Sequence, residues 1–214
     1  MQIYLIRHAQ SEDNVVEVDL SRRMTRAEFN AFLRHAPESR LTALGEEQAR
    51  RLTQRLAQVP ITQLYTSPLP RALATAQVLA AGRGIAPHII TELRELEPPP
   101  LKEYGGSVSL RWLFLQAFMR MLLSPASEDR VGIALRRARA VWRQITAEPA
   151  EAIAVVSHGW FIGTLLLSLR FDRHWRVVTR DLANGGISLV VSRVPTPARS
   201  GVRVGSTSDP LASI

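Results

Sequence analysis

The sequence predicts an α/β fold whose central sheet is mostly parallel and covered on both faces. Three observations carry that expectation. Short apolar, β-branched runs recur at 2–7, 61–66, 87–91, 151–157 and 186–194. Segments with helical spacing separate them, which suits parallel strands joined by crossover helices. Three of the strands run directly into polar, chemically able residues, and open α/β sheets keep their ligand crevice at strand carboxyl ends.

The helices follow in order. Residues 42–58 open with Thr42 as a cap and carry Leu44, Ala49, Leu52 and Leu56 at helical spacing. Residues 69–81 start after Ser67-Pro68 and are rich in Ala and Leu. Residues 128–147 place Leu135, Ala138, Val141, Trp142 and Ile145 on one face and arginines on the other. Residues 160–169 follow the fourth strand directly. Two stretches read as irregular: a polar link over 15–40 with a short helix near Thr25 to Leu33, and a segment over 96–130. The second opens with Pro98-Pro99-Pro100 and continues into the apolar run Leu110 to Leu123. That run is expected to be a helix that caps the site or packs into the core, with a homodimer face as the alternative. One domain over 1–194, with 96–130 as a cap-like insertion, is the expected organisation, and a disordered tail rich in Ser, Pro and Gly follows from 195.

The 214 residues carry a formal net charge of +8, nearly all of it from arginine; Lys102 is the only lysine. No dense basic run or aromatic-interleaved patch appears, so the excess reads as compositional and no nucleic-acid partner is expected. There is no cysteine, hence no disulfide or thiol chemistry. No apolar run reaches membrane-spanning length, the first residues form a strand instead of a leader, and cytoplasm is the expected compartment.

The chemistry collects at three strand ends. Ile3 to Ile6 delivers Arg7-His8. The strand around Gln63 to Tyr65 runs into Ser67-Pro68, with Arg71 in the first turn of the next helix. Ala154 to Val156 delivers Ser157-His158-Gly159, where glycine permits a tight turn. Arginine binds phosphate oxygens bidentately, and histidine serves as nucleophile or proton carrier near neutral pH. A helix N-terminus adds free N–H groups for an anion. His35 and His88 lie in polar links and His174 follows Asp172-Arg173, and each reads as a surface or structural residue; no histidine pair has metal-ligand spacing of the H-E-x-x-H type.

The runs Leu5-Ile6-Arg7-His8-Ala9-Gln10-Ser11 with Asn14, Leu41 to Ala49, Ser67 to Ala72 and Ser157-His158-Gly159 resemble, in order and spacing, the histidine phosphatase superfamily of phosphoglycerate-mutase-like proteins. The resemblance implies a three-layer α/β/α sandwich and metal-independent, cofactor-free chemistry through a phosphohistidine. It implies His8 as nucleophile, and Arg7, Asn14, Arg71 and His158 as the groups that hold the phosphoryl oxygens. Glu95 takes the place of the family's acidic proton donor. The family's usual Gly-x-Trp-Glu-Gly-like segment after that acid is replaced here by Leu96-Glu97-Pro98-Pro99-Pro100, so Glu92 and Glu97 stand as rivals.

Phosphoryl transfer asks mainly for positioning and charge stabilisation. Two guanidinium groups and a second imidazole can hold three equatorial oxygens. His8 must present a bare ring nitrogen, with its other N–H held by an acceptor such as a backbone carbonyl. The expected activity is a phosphomonoesterase acting on a small phosphorylated metabolite. A mutase-type phosphotransferase and a silent phosphate-binding module are the alternatives. Trp112 and Phe118 are expected to shape the leaving-group pocket, and Trp160 either narrows it or starts the next helix as a core aromatic.

Overall fold

The computed structural model describes residues 1–17, 19–123 and 131–193. Its centre is a six-stranded sheet. In chain order the strands are β1 (Gln2–Arg7), β3 (Ile61–Thr66), β4 (His88–Ile89), β6 (Ala152–Ser157), β7 (Trp175–Thr179) and β8 (Ile187–Ser192), and their order across the sheet is β4-β3-β6-β1-β8-β7. β1, β3, β4 and β6 are mutually parallel, and β8 and β7 add an antiparallel edge. A separate two-stranded ladder joins β2 (Arg23–Met24) to β5 (Val108–Ser109).

Alternation along the strands sends side chains to two cores. Ile3 and Leu5 of β1 and Ile153 and Val155 of β6 pack against α6 (Val131–Ile145) and α7 (Gly159–Ser168). Ile6, Ala152, Ala154 and Val156 point the other way, against α3 (Ala43–Arg55) and α4 (Pro70–Ala80). β6 is buried along its whole length, as a central parallel strand should be. This is the three-layer α/β/α sandwich.

The helix starts follow local chemistry. Thr42 caps α3 by accepting from Gly45 N at 3.0 Å, and Pro70 occupies the first position of α4. Leu44, placed by its spacing on the core face of α3, is half-exposed instead. The rest of that face, Ala49, Leu52 and Leu56, is buried. α6 begins at Val131 in the described residues; 128–130 lie outside them, as does the tail from 194.

The described parts of the two regions read as irregular, 15–40 and 96–123, share a small core and are here termed the cap; 124–130 lie outside the described residues. Residues 15–40 hold the end of a one-and-a-half-turn helix α1 (Glu12–Glu17) and the whole of α2 (Arg26–His35). α2 carries a capping box, Thr25 accepting from Glu28 N while the Glu28 carboxylate accepts from Thr25 N. The apolar run forms α5 (Leu110–Leu123). Met24, Phe29, Leu110, Leu113 and Ala117 close a small third core, with Phe29 edge-on to Phe114 at 5.2 Å. Asn30 fixes the connecting loop by bonding both the N–H and the C=O of Leu101, each at 2.8 Å. No described helix is long and apolar enough to cross a membrane.

Candidate active site

Register brings three strand ends to one level. Arg7 pairs with Ser157 and Thr66 with Val156. Beyond the ladder, His8 N donates to Ser157 O at 2.9 Å and Ser67 N to Val156 O at 3.0 Å. The residues that follow, His8, His158 and the start of α4, therefore face one another across the edge of the sheet. The two imidazoles stand edge to face, 5.0 Å between centroids.

His8 is buried, and its tautomer follows from its partners. The Arg71 Nε–H lies 3.2 Å from His8 Nε2, and a guanidinium can only donate. Nε2 is therefore the bare nitrogen. Nδ1 carries the proton and donates it to Ala9 O at 2.7 Å, the backbone acceptor anticipated from the chemistry. Burial and the Arg71 charge push the His8 pKa down to about 3, so the ring is neutral at neutral pH. Ala9 is fully buried, its N–H bonded to Thr75 Oγ1 of α4 at 3.1 Å.

Arg71 is also buried; its Nη1 donates to Ala36 O, which ties the cap to the site. Arg7 donates from Nη1 to Leu182 O at 2.9 Å. Its guanidinium lies against the first residue of α7: a Cβ on Gly159 would sit 3.3 Å from Arg7 Nε. Glycine at this point admits the arginine to the helix N-terminus. His158 is buried with Nε2 2.8 Å from Ser67 Oγ, while its Nδ1 has no hydrogen-bond partner among the described residues. Burial, then His8 and Arg71, hold its pKa well below the usual value.

Glu95 meets this cluster from the loop after the 3-10 turn Thr91–Leu93, which Ser157 anchors by donating from Oγ to Leu93 O at 2.7 Å. Its carboxyl caps α7. Oε1 accepts from Phe161 N and Leu96 N, each at 2.9 Å, and Oε2 from Trp160 N at 3.2 Å. A carboxylate has about four lone-pair sites, so one on Oε2 is left for a proton. Burial pushes its pKa up, against the pull of those N–H groups and Arg71. The rivals lie elsewhere: Glu92 is exposed, and the half-exposed Glu97 pairs with Arg94 at 3.3 Å. His35, His88 and His174 are exposed.

Sequence reasoning missed Asp13, Ser39 and Asn184 here. Asp13 accepts from Ser11 Oγ and Ser39 Oγ. Burial alone would raise its pKa, but the Arg71 charge and the two hydroxyls outweigh that and hold it below the usual range. Asn184 reaches Asn14 from the turn before β8. A Ser-x-Asp pair and an Asn-Gly turn are too common to single out. A cavity of about 360 Å³ opens beside Asp13, lined also by Glu12, Phe32, His35 and Glu38. On the other side, Trp160, the second residue of α7, is one third exposed and meets Phe118 of α5 edge-on at 5.9 Å.

The fold and this collection of imidazoles and guanidiniums define a phosphoglycerate-mutase-like α/β protein. Residues 3–194 match the histidine phosphatase superfamily (branch 1), and the chain belongs to that superfamily. It is 26% identical over 199 residues to a putative phosphoserine phosphatase 2 of Hydrogenobacter thermophilus, covering 87% of each chain. It is 36% identical over 103 residues to a probable phosphoglycerate mutase GpmB of Serratia proteamaculans, a match that spans 48% of this chain and only 41% of that protein. Among solved structures, phosphoglycerate mutase from Bacillus anthracis superposes with a TM-score of 0.64 at 19% identity, over 90% of this chain and 88% of that one.

Proposed function

We propose that the chain is a phosphomonoesterase that hydrolyses a small phosphorylated metabolite through a phosphohistidine on His8 Nε2. The observation that carries this reading is the forced tautomer: Arg71 and Ala9 together leave a bare, unprotonated Nε2 in a buried cluster of cationic side chains. A module that merely bound phosphate would have no need of an aimed lone pair. Relatives carry both phosphatase and mutase names, and the departure after Glu95 favours hydrolysis over retention of the phosphoryl group.

In the first step the Arg71 Nε–H passes from His8 Nε2 to a phosphoryl oxygen, and the freed Nε2 lone pair attacks phosphorus as the ester P–O bond breaks. Arg7, Arg71, His158 and Asn14 take up the charge on the equatorial oxygens. The electron pair leaves with the alcohol oxygen, which accepts the proton from Glu95 Oε2. In the second step water attacks phosphorus, gives a proton back to Glu95, and the P–N bond breaks with its electron pair returning to Nε2. The side chains supply the positive charge in this scheme.

The test is phosphate release from p-nitrophenyl phosphate with EDTA present, comparing wild type with His8→Ala. Turnover in the wild type, reduced by about 10⁴-fold or more in the variant, is expected. Undiminished turnover in His8→Ala would end the phosphohistidine account. Loss of wild-type activity to EDTA, restored by added metal, would replace it with metal-assisted hydrolysis.

A further inference from the structure

We infer that Asn184 is a positioning residue that sets the orientation of the Asn14 amide for phosphoryl binding. The inference rests on the function proposed above. Asn184 lies in the turn between β7 and β8, and that turn is bound to the end of β1 by several bonds. Gly185 N donates toward Arg7 O and His8 O, each at 3.2 Å, and Arg7 N donates to Gly186 O at 3.1 Å. The Arg7 guanidinium bonds Leu182 O. Gly185 has φ +69°, a conformation that favours glycine. Asn184 is thus held by backbone beneath the nucleophile.

The amide orientations follow from groups that cannot change role. At one end, Ser11 N–H can only donate, and it lies 3.3 Å from Asn14 Oδ1. At the other end, His8 O can only accept, and it lies 3.3 Å from Asn184 Nδ2. Between them, Asn184 Nδ2 donates to Asn14 Oδ1 at 2.6 Å. Ser11 Oγ has a single proton and two acceptors near it, Asp13 Oδ1 and Asn14 Oδ1 at 3.0 Å. The Asn184 donor is therefore the closest one that the Asn14 oxygen has. With Oδ1 committed to this side, Asn14 can offer an oxyanion only its Nδ2–H, a donor. A flipped Asn14 would instead present an oxygen to a phosphoryl oxygen, two acceptors face to face.

The experiment is a double-mutant cycle of Asn184→Leu, nearly isosteric but unable to donate, with Asn14→Ala. It reads two quantities: the Kd of orthovanadate, which needs no turnover, and kcat and KM for p-nitrophenyl phosphate. Asn184→Leu is expected to weaken vanadate about tenfold, the size of one lost hydrogen bond. In the Asn14→Ala background the same change should have no further effect. Thermal melting of each variant separates this from a general loosening of the turn, which would weaken binding equally in both backgrounds. Equal weakening in both backgrounds, or none in the wild type, overturns the inference. Vanadate coupling as expected in a protein that hydrolyses no ester would uphold the positioning role and sink the phosphatase reading alone. Failure of the wild type to bind vanadate would sink both.

Discussion

The carboxyl edge of the parallel strands and the cap built from α2 and α5 are held in place by different means. At the strand edge, backbone register sets where each side chain starts, and a specific partner sets where it ends. His8, Arg71 and His158 are each at most 4% exposed and each has a named hydrogen bond. In the cap, α5 rests on a small apolar core and leaves Trp112, Leu115, Phe118 and Met119 between 41% and 50% exposed. The first arrangement tolerates almost no change, because moving one group strands the polar atoms of another. The second can exchange side chains at the cost of surface alone. We propose that chemistry belongs to the edge and choice of substrate to the cap.

Arg71 breaks that division most sharply, since it belongs to both regions through His8 Nε2 and Ala36 O. Arg71→Ala should lose about 2.7–4 kcal/mol of transition-state stabilisation, in line with other lost charge-stabilising donors. Arg71→Lys should recover little of it, because an ammonium cannot bond Ala36 O and orient the Nε2 lone pair in one plane. Steady-state kinetics on one aryl phosphate would check both. Full rescue by lysine would mean that charge alone matters at this position.

Glu95 tests whether a capping carboxyl also moves a proton. Glu95→Gln keeps an oxygen for Phe161 N and Leu96 N and gives up only the longer bond from Trp160 N, so the fold should survive. The transferable proton is gone, and kcat for an alkyl phosphate should fall by about 10²-fold, the low end for general acid catalysis. The aryl ester, whose leaving group needs little help, should fall much less. Because burial raises the Glu95 pKa, the acid form persists to higher pH than for an ordinary carboxyl, and wild-type kcat should decline as pH rises through it. The variant should lack that alkaline limb. An equal loss on both esters would confine Glu95 to capping.

The buried imidazoles make the edge sensitive to acid. The folded pKa of His8, near 3, lies below its unfolded value, so between the two the unfolded chain binds a proton that the folded chain refuses. Stability is whole above the unfolded pKa and is lost as pH falls toward 3. At pH 5 the loss is about 2 kcal/mol for one such group. Melting temperatures at pH 7.5 and pH 5 should differ less in His8→Asn than in the wild type. An unchanged difference would show that His8 titrates normally in the fold.

How much of this was legible in the sequence follows the same division. Arg7, His8, Arg71 and His158 stand where strands end, and the structure brings all four together, because parallel register lines up strand ends without help from side chains. β7 was missed: Trp175-Arg176-Val177-Val178-Thr179 is an edge strand in which only Trp175 and Val177 pack on the core, both partly buried, while the exposed Val178 breaks the apolar alternation. β4 shrank from the expected 87–91 to two residues, since it pairs on one side only. The two-residue β2–β5 ladder is too short to leave any period. Asn184 and Asp13 matter through contacts across 170 and 26 residues, with Asn14 and Ser39 respectively. Contacts of that reach are set by topology and leave no local mark. The α5 run was readable as a helix, but its partner was not, because a helix apolar on nearly every side does not say which side is covered.

That ambiguity gives the smallest effect. Trp112 and Phe118 are six residues apart on α5, hence about 120° apart around the helix. Phe118 faces Trp160 at the start of α7, whereas Trp112 lines a groove of about 510 Å³ with Arg26, Tyr104 and Gln116. Only the first touches a residue whose backbone N–H is bonded to Glu95. Phe118→Ala should therefore reorder the preference among alkyl and aryl phosphates by a few-fold, the scale of one apolar contact of about 1 kcal/mol. Trp112→Ala should leave the order alone for small esters. kcat/KM over a short series of phosphate monoesters reads this directly. If both variants shift the order equally, the groove reaches the leaving group and the substrate is larger than the site near His8 implies. If neither does, the cap holds Arg71 through Ala36 and takes no part in choosing what is cleaved.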